Sequence, residues 1–296
     1  MIKNMLVSVL DHESVLKVDY RLGRYFFGNT ARMTQNVFGY LDILRAQVRT
    51  REKITPKPII DVNKLKQIGY HLVPGIYESE LILNVQTDYL AQIENPDLSE
   101  PKCPGGDGKF YGRVLKNPIK QIPRLRELLN QQATEIVTAY YNANFHVYSI
   151  SPYRIYHVPE KIWKEREVIS NFWHCDSRYT SMLKFFINIS DVTVDDGPLH
   201  IQSRFRTKEL LKLGYKDRKN YALSKEIMDD PNHVIKLIGA PGTTIACNTE
   251  QCFHKAGLPA EGHTRDIIEI KFLPTYEPLT NSWPDKLVVE GFKDYN

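Results

Sequence analysis

Two short segments constrain this chain most: FWHCDSRYT at 172–180 and QCFHKAG at 251–257. The first lies in a run from Ser170 to Asn188 rich in Phe, Trp, Tyr, Thr and Ile, which reads as strands around a short turn. The second closes a strand-like run from Thr243 to Phe253, preceded by the turn signal Ala-Pro-Gly at 240–242. Side chains alternate faces along a strand, so His174 and Asp176 point one way and Cys175 the other. A fold that brings His254 to the same face would gather two imidazoles and one carboxylate, and a sheet closed on itself does this readily.

Those three donors in that arrangement can hold a metal on one face and leave the opposite face open, the pattern that suits non-haem Fe(II). His-x-Asp alone is weak evidence. Nine His and thirty-five Asp plus Glu in 296 residues make about one chance match expected. An isolated His254 would more often be a hydrogen-bonded core histidine. A fourth residue sharpens the pattern. Arg265 opens an apolar strand, Arg265 to Phe272, eleven residues past His254. A guanidinium at the mouth of such a strand needs an anionic partner, either an ordinary salt-bridge acid or a bound carboxylate held by its fork.

The run FWHCDSRYT…INISDVTVDDGPLHIQ…GAPGTTIACNTEQCFHKAGLPAEGHTRDIIEIKF resembles the phytanoyl-CoA dioxygenase family of Fe(II)/2-oxoglutarate oxygenases. The segment GYHLVPGIYESELI at 69–82 is similar to the family's opening strand, so the resemblance spans about 67–274. It implies a double-stranded β-helix, with His174, Asp176 and His254 as iron ligands and Arg265 on the distal carboxylate of 2-oxoglutarate. It further implies O2 as oxidant, a small-molecule substrate, and succinate and CO2 as by-products. The family's tendency to place active-site residues on a strand upstream puts Arg154 and Tyr156 forward as cosubstrate contacts; sharing parity, they stand or fall together. Thr180, Lys184 and Gln202 are candidate substrate contacts, and His263 reads as a turn residue. The carboxylate at 176 argues against the halogenating members of the scaffold, which carry a small residue there, and for hydroxylation, desaturation or ring formation. The chain departs from the family where QSRFRTKEL, from Gln202, replaces a PGSH-type turn, and where Lys255, Ala256 and Gly257 follow the distal histidine. The substrate class stays open.

Residues 1–60 carry apolar residues at helical intervals (Val15, Val18, Tyr20, Leu22, Tyr25, Phe26), predicting a helical extension before a proline-marked joint at 55–61. Residues 61–296 form the expected oxygenase domain. Within it, 76–100 has helical periodicity ending near Pro96, 103–113 reads as a loop, and 123–142 as one helix with Pro123 in its first turn. Strand signals dominate from 144, giving a β-helix core at about 144–274. Helices first and strands after argue an α+β fold whose jelly roll carries the site. The polar interruption at 203–233 is expected to form a lid over the barrel mouth.

No apolar stretch approaches the roughly 18 residues of a membrane span, and the N-terminus lacks a signal-peptide pattern. The four cysteines (Cys103, Cys175, Cys247, Cys252) have no C-x-x-C spacing, which favours a reduced, cytoplasmic setting. Basic residues at 203–221 are not interleaved with stacking aromatics, so no nucleic-acid partner is expected; the oligomeric state is open. Two other function classes fit part of the pattern: a cupin-like metalloenzyme without 2-oxoglutarate, which would not need Arg265, and a non-catalytic binding protein of the same fold.

Overall fold

The structure, a computed structural model, describes residues 29–50, 55–176, 181–215, 218 and 223–276. Helix α1 (Asn29–Arg49) buries Ala46, and the Gln47 side-chain amide donates to the Tyr141 carbonyl at 2.6 Å. The expected repeat from Val15 to Phe26 lies outside the described residues. Helix α2 (Val62–Ile68) is capped by Asp61, which accepts from the Lys64 amide, and ends at Gly69 with φ +94°. A Cβ at Gly69 would sit 2.3 Å from the Cys252 sulfur, so packing and backbone angle both demand glycine there.

Strand β1 (Tyr70–Leu72) leads to helix α3 (Ser79–Ile93), which buries Ile82, Val85, Tyr89 and Ile93 along one stripe and stops before Pro96. The segment at 103–113 is not a loop but most of a hairpin. Strands β2 (Ser99–Pro104) and β3 (Phe110–Leu115) pair through a turn in which Gly106 and Gly108 take positive φ. Alternation across this hairpin is masked in the sequence by its prolines and glycines.

The predicted helix at 123–142 divides. After the short helix α4 (Pro118–Gln121), a 3-10 segment spans Pro123–Leu129, and helix α5 starts afresh at Gln131–Tyr141. Asn130 causes the break. Its extended backbone (ψ 176°) lets its side chain accept from the Ala133 amide at 2.9 Å and donate to the Ile76 carbonyl at 2.6 Å.

The remaining elements build the barrel. They are strand β4 (Asn144–Tyr156), helix α6 (Glu160–Glu165), strands β5 (Leu183–Asn188) and β6 (Leu199–Gln202), helices α7 (Arg204–Lys212) and α8 (Lys225–Met228), then strands β7 (Val234–Lys236), β8 (Thr244–Cys247), β9 (His254–Ala256) and β10 (Thr264–Thr275). A seven-stranded sheet runs β1-β8-β5-β10-β4-β3-β2 and a three-stranded sheet runs β7-β6-β9, with every pairing antiparallel.

The outer face of the large sheet packs on the helices. Phe185 and Phe145 each meet Phe272 edge-on, at 5.0 and 5.6 Å, geometry worth about 0.5–1.5 kcal/mol per pair beyond area burial. Buried Tyr141 on α5 ties the layers by accepting from the Leu183 amide and reaching the carbonyls of Ser181 and Phe272. The inner face meets the small sheet through Phe186, Ile245 and Ile267 against Leu199 and Ile201. A register shift at Lys271/Phe272 leaves Tyr148 out of the pairing with β10. Past it, odd-numbered residues of β4 and β10 face inward together.

The described part of 203–233 packs behind the site and not over the cavity. Leu210, Tyr215 and Met228 pack with Trp173, Cys175 and Phe253, and no described residue of this segment borders the central cavity. The reason is parity. Trp173, Cys175 and Phe253 are the sequence neighbours of the candidate ligands and point away from them, so an apolar surface behind the site needs a cover.

Candidate metal centre

His174 and His254 face each other across an isolated antiparallel bridge in which each amide donates to the other's carbonyl, at 3.0 and 2.9 Å. A reciprocal pair of this kind sends both side chains to one face, and the ring centroids lie 4.2 Å apart. Asp176 is fixed by its amide, which donates to the Thr249 carbonyl at 3.0 Å. One ligand atom each from His174, Asp176 and His254 lie within 4.8 Å of one another, as one small ion requires. The Nε2 atoms of His174 and His254 stand 3.5 and 3.7 Å from the two Asp176 oxygens.

Second contacts set the imidazole tautomers. Nδ1 of His174 lies 2.7 Å from the Phe172 carbonyl and Nδ1 of His254 lies 3.2 Å from the Cys252 carbonyl. A carbonyl only accepts, so each Nδ1 carries the proton and each Nε2 offers its lone pair inward. Burial pushes the His254 pKa down to about 3, against the pull of Asp176, and keeps that imidazole neutral. Burial alone would raise Asp176, but Lys184, His254 and His174 outweigh it and hold the carboxyl well below its usual range. Two imidazoles that turn Nε2 inward and an ionised carboxylate form a donor set that fits a divalent first-row metal.

Lys184 enters this site by an unexpected role. Buried on β5, it donates to Asp176 Oδ2 at 2.5 Å and to Glu269 Oε1 at 3.0 Å, while Glu269 also pairs with Lys271 at 2.9 Å. Burial would lower its pKa, yet Asp176 and Glu269 raise it well above the usual lysine value. Thr249 Oγ1 donates to the same Asp176 oxygen at 2.7 Å. Neither Thr249 nor Glu269 is singled out by the sequence. The signal was parity: Glu269 is two strand turns from Arg265 on the same face.

Arg265 shares with the triad a cavity of about 360 Å³ between the two sheets. It is 2% exposed, and no carboxylate pairs with it among the described residues. One guanidinium nitrogen donates to the Gly197 carbonyl, its Nε has no partner, and burial lowers its pKa. Gly197 explains part of the DDGPLH motif. Its φ is +65°, and a Cβ there would come within 2.5 Å of the Leu258 and Pro259 backbone. Asp196 beside it accepts from the Thr193 amide and hydroxyl, and pairs with His263 at 2.9 Å, so His263 braces this turn.

Of Arg154 and Tyr156, Arg154 borders the cavity and Tyr156 does not, and both side chains bond away from the triad. Antiparallel pairing sets Arg265 opposite Ile155 and Asp266 opposite Arg154. The Arg154 guanidinium therefore grips Asp266 with two bonds of 2.8 Å and Glu94 with one of 2.7 Å on the helix side of the sheet, where the Tyr156 hydroxyl also donates to Glu94. Ser151, Tyr153, Arg154 and Ile155 all border the cavity from β4, whereas Tyr156 does not. Gln202 is buried against α8, its amide donating to the Met228 carbonyl at 2.5 Å, and does not line the cavity. Thr180 lies outside the described residues. Cys175 faces the apolar cluster behind the site, as strand alternation requires.

No protein-family model matches the sequence, and no curated protein sequence matches it either. Solved structures do match in fold. EctD from S. alaskensis with bound Fe aligns at TM-score 0.53 and 11% identity, covering 79% of this chain and 86% of that one. The non-heme alpha ketoglutarate dependent carbocyclase SnoK from nogalamycin biosynthesis aligns at 0.52 and 15%, covering 79% and 93%. The epimerase SnoN from the same biosynthesis aligns at 0.51 and 13%, covering 72% and 81%. The likeness establishes the double-stranded β-helix, with antiparallel sheets and helices packed on one side.

Proposed function

We propose that this chain is an Fe(II)/2-oxoglutarate-dependent oxygenase of the phytanoyl-CoA dioxygenase type that hydroxylates a small molecule and releases succinate and CO2. One observation carries the reading. A buried guanidinium with no anionic partner among the described residues shares a cavity with two imidazoles and a carboxylate gathered for a metal. A buried cation costs several kcal/mol unless paired, and a dicarboxylate bound to the metal at one end would pair Arg265 at the other.

His174, Asp176 and His254 would hold the iron. When bound with its keto-acid cosubstrate, iron supplies O2 activation coupled to oxidative decarboxylation. The protein's share is positioning. The Nδ1–carbonyl contacts fix both imidazoles, the His174–His254 bridge fixes their spacing, and the Gly197 carbonyl aims Arg265. Phe186, Leu199 and Ile155 give the cavity apolar walls that limit water near the reacting atoms. The four thiols are free, which supports a reducing, cytoplasmic setting. No helix among the described residues is long and apolar enough to cross a membrane.

The test is succinate formation by the Fe(II)-loaded protein across a panel of small molecules under air. Succinate that depends on Fe(II), 2-oxoglutarate and Arg265 supports the proposal. Metal-dependent turnover without succinate, unaffected by Arg265→Ala, would instead assign a metalloenzyme that does not use the keto acid.

A further inference from the structure

We infer that Lys184 and Thr249 clamp one oxygen of Asp176 so that the carboxylate meets its metal through the other oxygen alone. A carboxylate oxygen offers two lone pairs in its plane. On Oδ2 both are taken, by Lys184 Nζ at 2.5 Å and Thr249 Oγ1 at 2.7 Å. Oδ1 faces His174 Nε2 at 3.5 Å and Oδ2 faces His254 Nε2 at 3.7 Å; with two donors already on Oδ2, Oδ1 is left for the ion.

The clamp is itself held. Lys184 comes from β5, where it pairs with Cys247 of β8, and Glu269 on β10 takes another of its protons. Glu269 is anchored in turn by Lys271. Thr249 is placed by its own carbonyl, which accepts the Asp176 amide. The two donors thus reach Oδ2 from independent elements of the barrel, and Lys184 keeps a carboxylate partner whatever Asp176 does.

Denticity matters because it sets the number of open positions. Three single-atom ligands leave three sites on a six-coordinate metal, whereas a chelating Asp176 would leave two. Two suffice for a keto acid but not for a keto acid and O2 together, so the clamp's importance for turnover rests on the proposed function. Its existence does not.

Mn(II) alone is the probe, read by the water-proton relaxation of the bound ion. Wild type and Lys184→Arg, which can still bridge Asp176 and Glu269, are expected to show the same relaxation per bound ion. Lys184→Met and Thr249→Val are expected to lose one coordinated water of three, lowering it by about a third. Unchanged relaxation in both variants overturns the inference. So does tighter Mn(II) binding by Lys184→Met with unchanged relaxation, which would make Lys184 only a counter-ion for the empty site. If Lys184→Met does not fold, the nearly isosteric Thr249→Val decides the question. A wild type that takes up no Mn(II) at all would overturn the metal centre and the clamp together, and is distinguishable from failure of the clamp alone.

Discussion

The amides of His174 and His254 each donate to the other's carbonyl, so two residues eighty positions apart present their imidazoles side by side. The bridge is made of backbone, and it survives substitution of either side chain. Single ligand variants therefore test the metal without dismantling the barrel.

His254→Ala and Asp176→Asn should fold and lose metal affinity by more than the roughly 10- to 100-fold typical of losing a supporting contact. Fe(II) or Co(II) titration checks this, with circular dichroism to show that the fold persists. Wild-type affinity in Asp176→Asn would remove the carboxylate from the ligand set.

Arg154→Met should destabilise the protein by about 2–4 kcal/mol, because it leaves Asp266, 3% exposed, without its bidentate partner. Urea unfolding measures the loss. The apparent affinity for 2-oxoglutarate should stay within about twofold of wild type, since Arg154 grips the helix side of the sheet. A large fall in cosubstrate affinity with unchanged stability would make Arg154, which borders the cavity, a cosubstrate contact.

Glu250, buried beside Thr249, titrates in an unusual range. Burial raises its pKa to about 8, with Lys184 pulling it down. A raised carboxyl binds its proton more tightly folded than unfolded. Its stabilising contribution is thus complete below the unfolded value near 4.5 and is lost as pH rises through about 8. Metal-free protein should lose stability between about pH 4.5 and about pH 8 and level off above that, and Glu250→Gln should flatten that slope by up to a few kcal/mol. Thermal melts of both proteins across this range check it; parallel curves would contradict it.

Thr207 on α7 accepts the Phe253 amide at 2.8 Å, joining the 203–233 segment to the strand of the distal histidine. Thr207→Val leaves that buried amide unpaired and should cost about 1–3 kcal/mol. Faster hydrogen exchange at 252–255 than elsewhere in the barrel would accompany it. Uniform exchange would mean that the segment does not brace the site.

Much of the centre was legible because strand parity is local: 174 and 176 share a face, and Cys175 does not, whatever the rest of the chain does. Parity also tied Arg154 to Tyr156, but it could not say which face of β4 meets the metal. That depends on the register of β4 against β10, set by residues over a hundred positions apart and by the shift at Lys271/Phe272. Which face of β5 carries Lys184 toward Asp176 depends on its pairing with β8 and β10, which the sequence alone does not reveal. The 203–233 segment reads as a lid because its sequence is polar, whereas Leu210, Tyr215 and Met228 of its described part pack behind the ligands. Asn130 reads equally as a helical residue or a cap, and its second bond, to Ile76, comes from a distant loop.

The most direct test of the whole account is anaerobic visible absorbance during titration with Fe(II) and then 2-oxoglutarate, in wild type, His254→Ala and Arg265→Ala. A weak charge-transfer band is predicted that disappears in His254→Ala and needs about 10- to 100-fold more 2-oxoglutarate in Arg265→Ala, the loss expected of a charge-assisted fork. Folded, metal-loaded wild type that gives no band at any concentration of 2-oxoglutarate would contradict it.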